Sequence, residues 1–152
     1  SIATKADDKI FVEAIDCQSV RNGNMWLVSF LKEADVEKVV IDGSGSQQIL
    51  SNDLKEFNVK LKPILPKVNE VIVANNMFEQ AVTSTKLICH NGQPSLEAVV
   101  TNCKRRAIGS NGGFGFKALL EEHDIALLDS VILAHWICAK SKGTKIKQKV
   151  NY

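Results

Sequence analysis

The sequence has no apolar run that could cross a membrane, and its cysteines lack the pattern of a metal site. A membrane-spanning helix needs roughly 18 apolar residues in a row, and no stretch approaches that length. The N-terminus lacks the charged, apolar and small-residue order of a signal peptide. Cys17, Cys89, Cys103 and Cys138 lie far apart, which favours free thiols over zinc binding or disulfides. These absences predict a cytoplasmic protein.

A strong excess of charge is also missing, as are the usual nucleotide and hydrolase motifs. The formal net charge is +2 over 152 residues, with 45% hydrophobic and 24% charged residues, as in an ordinary globular protein. No Walker-type loop and no Gly-x-Ser-x-Gly motif occurs. We expect one domain over residues 1–139, followed by a basic tail over 140–152.

The predicted elements begin in the order β-β-α-β-α-β-α, which favours an α/β fold with a mixed central sheet, parallel in its later strands and flanked by helices. Strands are predicted over 1–5, 10–15, 36–42 and 60–65, and helices over about 24–35, 47–57 and 67–83. The third helix is expected to turn Val68, Ile72, Phe78 and Val82 inward. A helix over 94–102, a hairpin over 104–117 and a final helix over about 125–139 complete the chain. One face of the second helix is expected to carry Ile49, Leu50, Leu54 and Phe57, and one side of the final helix to carry Leu128, Ile132 and Trp136.

Asp42 is a candidate metal ligand because of its place after a predicted strand. It follows the β-branched run Val39–Ile41 and precedes a stretch of glycine and serine that allows a close turn. In open α/β sheets, functional groups collect beyond the carboxyl ends of the strands. The alternative is a turn or helix-capping role for this carboxylate.

Asp129 is a second candidate, in the first turns of the otherwise apolar final helix. An unpaired carboxylate there would be costly to bury, and Mg²⁺ or Mn²⁺ suits two carboxylates brought together. The alternative is a helix-start carboxylate stabilised by the macrodipole. Asp124, just upstream, is expected to cap the helix, with an additional ligand role as the other possibility.

Basic residues form two groups that could neutralise a DNA backbone. Lys104, Arg105 and Arg106 lead into the glycine-rich loop 109–113, and Lys117 follows it. The lysines of the tail form the second group. For both groups the alternative is a solvated surface without a partner.

In combination, these features resemble the C-terminal part of phage terminase large subunits. The resemblance rests on the segment 87–94 with His90 and Pro94, on Leu96 and Asn102, on the basic glycine-rich hairpin, on Asp124–Ala134 and on Val39–Asp42. In that family a His-x-x-x-Pro-like turn leads into a helix ending in Asn. A hairpin, a lysine and a helix bearing an Asp then follow.

The resemblance implies a ribonuclease H-like nuclease domain that cuts concatemeric double-stranded viral DNA in the host cytoplasm. Asp42 and Asp129 would be the catalytic carboxylates, with Asp124 as an additional ligand, around two Mg²⁺ or Mn²⁺ ions roughly 3.5–4 Å apart. Lys117 matches the family's lysine after the hairpin. A phage portal and a small terminase subunit are the implied protein partners.

No residue of the chain matches the family's first active-site Asp, which lies on the opening strand of that fold. We expect the chain to be a fragment without this strand, so the metal cluster would be incomplete and activity of this chain by itself is in question. Two other functions stay open. One is another ribonuclease H-like nuclease, such as a junction resolvase or an integrase core. The other is a DNA-binding or assembly module without catalysis.

Overall fold

The chain adopts a mixed α/β fold in a computed structural model that describes residues 1–141. In chain order the elements are β1 (Ile2–Ala6), β2 (Lys9–Glu13), a 3₁₀ turn (Val20–Asn22), α1 (Met25–Glu33), α2 (Ser44–Glu56), α3 (Val68–Gln80), a π-helical turn (Ala81–Thr85), β3 (Ile88–Cys89), α4 (Pro94–Thr101), β4 (Cys103–Ile108), β5 (Gly113–Ala118) and α5 (Ala126–Lys140). The predicted α/β class is confirmed. The predicted basic tail lies, from residue 142 on, outside the described residues. No helix in 1–141 combines the length and the apolar character needed to cross a membrane.

A three-stranded mixed sheet forms one layer of the main core. Strands β1 and β2 make an antiparallel hairpin, and β3 pairs in parallel with β2 on its other edge. Ile10 and Val12 of β2 are buried, whereas Phe11 between them is exposed. This alternation shows that one face of the sheet packs on the core. Helix α5 covers that face and contacts both β1 and β2.

The strands predicted over 36–42 and 60–65 do not form. The two segments meet only at a parallel bridge between Val40 and Ile64, where the Ile41 N–H donates to the Ile64 carbonyl at 3.0 Å. Pro63 and Pro66 flank the bridge, and proline has no N–H to extend a ladder. In place of one predicted central sheet, the described residues therefore form a three-stranded sheet, the β4–β5 hairpin and this single bridge.

A smaller core lies between α1 and α2 beside the bridge. It consists of the buried side chains Val28, Leu31, Leu50 and Leu54. The sequence predicts Ile49 and Phe57 on the same inner face as Leu50 and Leu54, but Ile49 is 57% exposed and Phe57 is 37% exposed. The buried stripe of α2 is therefore narrower than predicted. This core fixes the start of α2, where Asp42 and Gly43 lie.

Helix α3 buries only part of the face predicted, since Phe78 is buried and Ile72 is half-buried as expected. Val68 is 64% exposed and Val82 is 40% exposed, although both were expected to point inward. The buried residues are Ala74, Asn75 and Phe78. Glu70 accepts a hydrogen bond from the Lys67 N–H at 2.9 Å and so caps the N-terminus of the helix. The buried stripe thus contains an amide, Asn75, in a position that apolar spacing did not indicate.

Helix α5 is the central element of the main core. Leu128, Ile132 and Trp136 are each at most 2% exposed, as predicted for the inner face of this helix. The helix packs against α3, α4 and the three-stranded sheet. Full burial of such side chains contributes about 1.5–3 kcal/mol each. This packing holds the first turn of α5, and with it Asp129, in a fixed position relative to α3.

Candidate functional site

A small polar cleft brings Asp42 and Asp129 together, although they lie far apart in the sequence. Its volume is about 40 Å³, and its walls come from α3, the β4–β5 hairpin, α5 and the residue before Gly43. Its polar side chains are Asp42, Asn75, Arg106 and Asp129. Val71, Ile132 and Leu133 supply an apolar floor. The cleft therefore concentrates two carboxylates, one amide and one guanidinium in a confined space.

Asp42 lies between the parallel bridge and the start of α2. Its Oδ1 accepts a hydrogen bond from the Gly43 N–H at 2.9 Å. Gly43 has φ +89°, a left-handed conformation that glycine adopts far more readily than other residues. The side chain is exposed, and its Oδ2 has no hydrogen-bond partner among the described residues. The turn therefore leaves part of this carboxylate available to a ligand.

Asp129 lies in the first turn of α5 and is a weaker acid than an ordinary aspartate. The surrounding protein raises its pKa to about 6, mainly through desolvation. Arg106 acts against this increase, whereas the negative charges of Asp42 and Asp124 add to it. Asp129 is nevertheless exposed, whereas the sequence-based expectation was a carboxylate that is costly to bury; the start of the helix leaves it at the surface. A carboxyl that is costly to ionise beside a second carboxylate is a typical feature of cation-binding and catalytic sites.

Asp124 stabilises the start of α5, close to the capping role that the sequence suggests for it, although the N-cap residue itself is Ile125. Its Oδ1 accepts a hydrogen bond from the Ala126 N–H at 2.7 Å, at the start of α5. No three His, Cys, Asp or Glu side chains within residues 1–141 lie close enough together to hold a metal ion. The predicted carboxylate trio is thus not assembled as a ligand set. Asp42 and Asp129 share the cleft, and Asp124 acts on Asp129 through its charge.

Asn75 is a residue of the cleft that the sequence-based predictions did not include. It is 3% exposed, and its Oδ1 is buried without a hydrogen-bond partner among the described residues. Mg²⁺ and Mn²⁺ prefer oxygen ligands, and Mg²⁺ often binds through one or two carboxylates while keeping several waters. Two carboxylates and an unpaired amide oxygen therefore fit such an ion. No sequence signal marks this residue, because its burial depends on the packing of α3 against the hairpin and α5.

The hairpin carries the predicted DNA-binding residues in two different environments. Lys104 and Lys117 lie directly opposite each other in the strand register, and Arg106 lies opposite Gly115. Like charges in directly opposed positions repel, and Lys104 Nζ donates to the Leu119 carbonyl at 3.3 Å. Arg106 lines the cleft, and its Nε donates to the Phe116 carbonyl at 3.0 Å.

Arg105 differs from the other three because its charge is already paired. Its guanidinium makes a two-point ion pair with Glu79 of α3 and lies 4.4 Å above the centre of the Phe114 ring. The hydrogen bond to Glu79 raises the pKa of Arg105 above its ordinary value. These contacts attach the hairpin to α3. The predicted DNA contact of Arg105 stays a prediction, and its present role is to hold the wall of the cleft.

The histidines take no part in the cleft. His135 is buried, and its ring lies edge-on to Phe78 with centroids 6.1 Å apart. Desolvation lowers its pKa, which favours the neutral form. His90 is exposed, and its Nδ1 accepts a hydrogen bond from the Gly92 N–H at 3.1 Å in the turn before α4. Within residues 1–141, no histidine belongs to a group of three or more His, Cys, Asp or Glu side chains that could hold a metal ion.

A second concavity, the apolar groove, is much larger and is lined mainly by apolar side chains. Its volume is about 440 Å³, and its walls come from α3, the π-helical turn, β3, α4 and α5. Its base consists of buried side chains: Phe78, Leu96, Leu128 and Val131. Lys86, His90 and Glu97, which are exposed, are its ionisable residues. The groove has the shape of a binding site but lacks the pairing of reactive groups found in the cleft.

The cleft is therefore the part of the described chain best equipped for chemistry on a charged substrate. Its carboxylates can bind a cation, and Arg106 beside them can bind an oxyanion. The hairpin lysines add positive charge nearby along the same strands. Comparisons of the chain with models of protein families, with curated proteins and with solved structures found no match.

Proposed function

We propose that the chain is the metal-dependent endonuclease domain of a viral DNA-packaging terminase large subunit, with a ribonuclease H-like fold. One observation carries the proposal. Asp42 and Asp129, the two carboxylates expected to be catalytic, line the same small cleft beside Arg106. The raised pKa of Asp129 supports the proposal, because functional carboxylates often have perturbed acidities.

Mg²⁺ or Mn²⁺ is the cofactor that this proposal requires, and Asp42 and Asp129 would hold it. When bound, such ions supply activation of water and stabilisation of the leaving oxygen in phosphodiester hydrolysis. The unpaired Oδ2 of Asp42 and the partly desolvated carboxyl of Asp129 suit this role. The resemblance implies two ions, whereas the described ligands suit one.

The basic residues of the hairpin are proposed to bind the DNA backbone. Lys104 and Lys117 form an opposed pair on adjacent strands, and Arg106 lies at the cleft itself. Phosphate contacts of this kind position a duplex without reading its sequence. Arg105 would serve indirectly, because its ion pair with Glu79 fixes the hairpin to α3.

The wider assignment rests on the resemblance. It comprises cleavage of concatemeric double-stranded DNA in the host cytoplasm and cooperation with a phage portal and a small terminase subunit. The mixed pairing of β1, β2 and β3 and the packing of α5 across this sheet support the ribonuclease H-like fold. Neither protein partner is assigned to a surface of this chain.

Titration calorimetry with Mn²⁺ tests the proposal on the chain itself. Wild type should bind Mn²⁺, and D42N and D129N should each weaken binding by about 100-fold, because each removes a charged ligand. D16N is the matched control, since Asp16 is an exposed carboxylate that bonds only its neighbours Cys17 and Gln18. No binding of Mn²⁺ by wild type, or equal binding by all variants, would overturn the proposal.

A DNA-binding or assembly module without catalysis is the second candidate. It is favoured by the capping role of Asp124 and by the lack of a three-member His, Cys, Asp or Glu cluster within residues 1–141. Plasmid nicking separates the two functions. Mn²⁺-dependent nicking that D42N and D129N abolish supports the nuclease. Duplex binding that is independent of Mn²⁺, without nicking, supports the module.

A further inference from the structure

Helix α3 buries an amide at a position where an apolar residue would pack well. Asn75 is 3% exposed, and its neighbours Ala74 and Phe78 belong to the main hydrophobic core. Asparagine is a poor helix former, and a buried amide is unfavourable unless its polar atoms are paired. Packing alone therefore gives no reason for asparagine at this position.

Only one side of this amide is satisfied by the protein. The Nδ2 group donates to the Val71 carbonyl at 2.7 Å, whereas Oδ1 accepts no hydrogen bond from the described residues. Exchanging the two amide atoms would put Oδ1 against the Val71 carbonyl, acceptor against acceptor, so the orientation is well determined. Native proteins leave few buried polar atoms unpaired, and the residue that carries this one lines the cleft of Asp42 and Asp129.

The wall of the cleft opposite Asn75 carries no side chain at Gly115 of β5. A Cβ atom there would lie 2.7 Å from Ile108 Cδ1 of the same hairpin and 3.7 Å from Asn75 Nδ2. A larger residue would therefore crowd Ile108 and take up space beside Asn75. The remaining volume of about 40 Å³ holds an ion with at most a few waters.

We infer that Asn75 supplies a neutral oxygen ligand, through Oδ1, to the divalent cation held by Asp42 and Asp129. This inference rests on the proposed function, because it requires that cation. Amide oxygens are normal ligands of hard divalent cations. A neutral ligand adds no negative charge beside two carboxylates that already repel each other. Asn75 would thus extend the ligand set without a third acid.

A pair of neighbouring variants tests the role of Asn75. N75L removes the amide at similar volume, and N76L is its control. Asn76 makes the same bond to the preceding turn, from Nδ2 to the Ile72 carbonyl at 2.9 Å, but is exposed. In titration calorimetry of the full chain with Mn²⁺, N75L should raise Kd by about tenfold or more, as loss of a supporting ligand does. N76L should match wild type, and N75D should restore binding.

The outcomes separate this inference from the function on which it rests. Absence of Mn²⁺ binding by wild type would overturn the proposed function together with the inference. Wild-type binding that D42N weakens, with equal Kd values for N75L and N76L, would overturn the inference alone. Urea unfolding of both leucine variants serves as a second measurement, since a purely structural role would lower stability without changing Kd. Should N75L not fold, N75S takes its place, with the same expected weakening.

Discussion

The polar cleft and the apolar groove share two helices but differ in almost every other respect. Helix α5 contributes Asp129 and Ile132 to the cleft, and Leu128 and Val131 to the groove. Successive residues on a helix point about 100° apart, so neighbouring stripes of one helix serve two different cavities. The groove is about 440 Å³ and mainly apolar, whereas the cleft is about 40 Å³ and surrounded by ionisable and amide groups.

This difference shows that cavity size does not locate the chemistry of this protein. The residues deep in the groove belong to the main core, so their contribution is to stability. The polar residues of the cleft include a carboxyl that is costly to ionise and an amide with an unpaired oxygen. Such groups weaken the fold unless a ligand compensates them. Substitutions in the groove should therefore lower stability without changing cation binding. Substitutions of the polar residues of the cleft should lower cation binding without lowering stability.

Leu128→Ala should produce the largest change, because it affects the groove and the core together. Leu128 is 1% exposed, and truncation of a fully buried leucine costs about 2–5 kcal/mol. Urea unfolding measures this loss, and the folded protein should keep its Kd for Mn²⁺. L120A is the control, since Leu120 is 51% exposed. Similar stabilities of L128A and L120A, or loss of Mn²⁺ binding by folded L128A, would contradict the separation of the two cavities.

Acidification should weaken Mn²⁺ binding at the cleft through Asp129. Its pKa is raised to about 6, and the metal binds the ionised form. Below about pH 6 the affinity should fall by up to tenfold per pH unit, and above it the affinity should level off. Titrations between about pH 5 and 8 measure this profile. D129N should flatten it, and an unchanged slope in D129N would assign the titration to another group.

Substitution of the hairpin lysines should change the salt dependence of DNA binding. Each phosphate contact contributes about 0.9 to the slope of log K against log salt. The double variant K104Q/K117Q should therefore lower the slope by up to about 2. R105Q should lower it less, because Arg105 is paired with Glu79. A larger change for R105Q than for the lysine pair would show that the Glu79 ion pair opens on DNA.

Asp129→Asn should raise thermal stability by a small amount in the absence of metal. The pKa of Asp129 is higher in the folded protein, about 6, than its ordinary value of 3.8, so the folded state binds the proton more tightly than the unfolded state. Its contribution to stability falls as pH rises from about 4 to 6 and then stays constant. D129N should therefore raise Tm by a few degrees at about pH 8 and leave it unchanged near pH 4. D16N, an exposed control, should show no such pattern.

Much of the local structure was predictable from sequence, because its signals are local. Asn111-Gly112 marks the turn of the β4–β5 hairpin, and Pro94 marks the start of α4. The predicted inner face of α5, with Leu128 and Trp136, is confirmed. These elements depend on neighbouring residues, so spacing and turn chemistry are sufficient to identify them.

The features that the sequence did not reveal depend on distant partners. Val39–Ile41 has strong β-propensity, but its partner segment contains Pro63 and supports only the bridge at Ile64. The meeting of Asp42 with Asp129 was expected from the family resemblance, whereas periodicity does not specify it. Asn75 was not predicted because its burial becomes evident only when α3 packs against the hairpin and α5.

Anomalous X-ray scattering from crystals grown with Mn²⁺ would locate the ion directly. A Mn²⁺ peak is expected in the cleft, within about 2.0–2.4 Å of carboxylate oxygens of Asp42 and Asp129. The Asn75 Oδ1 should lie in the same coordination sphere, and the peak should disappear in D129N crystals. A Mn²⁺ peak elsewhere on the protein, with none between Asp42 and Asp129, would contradict the claim that these carboxylates form a metal site.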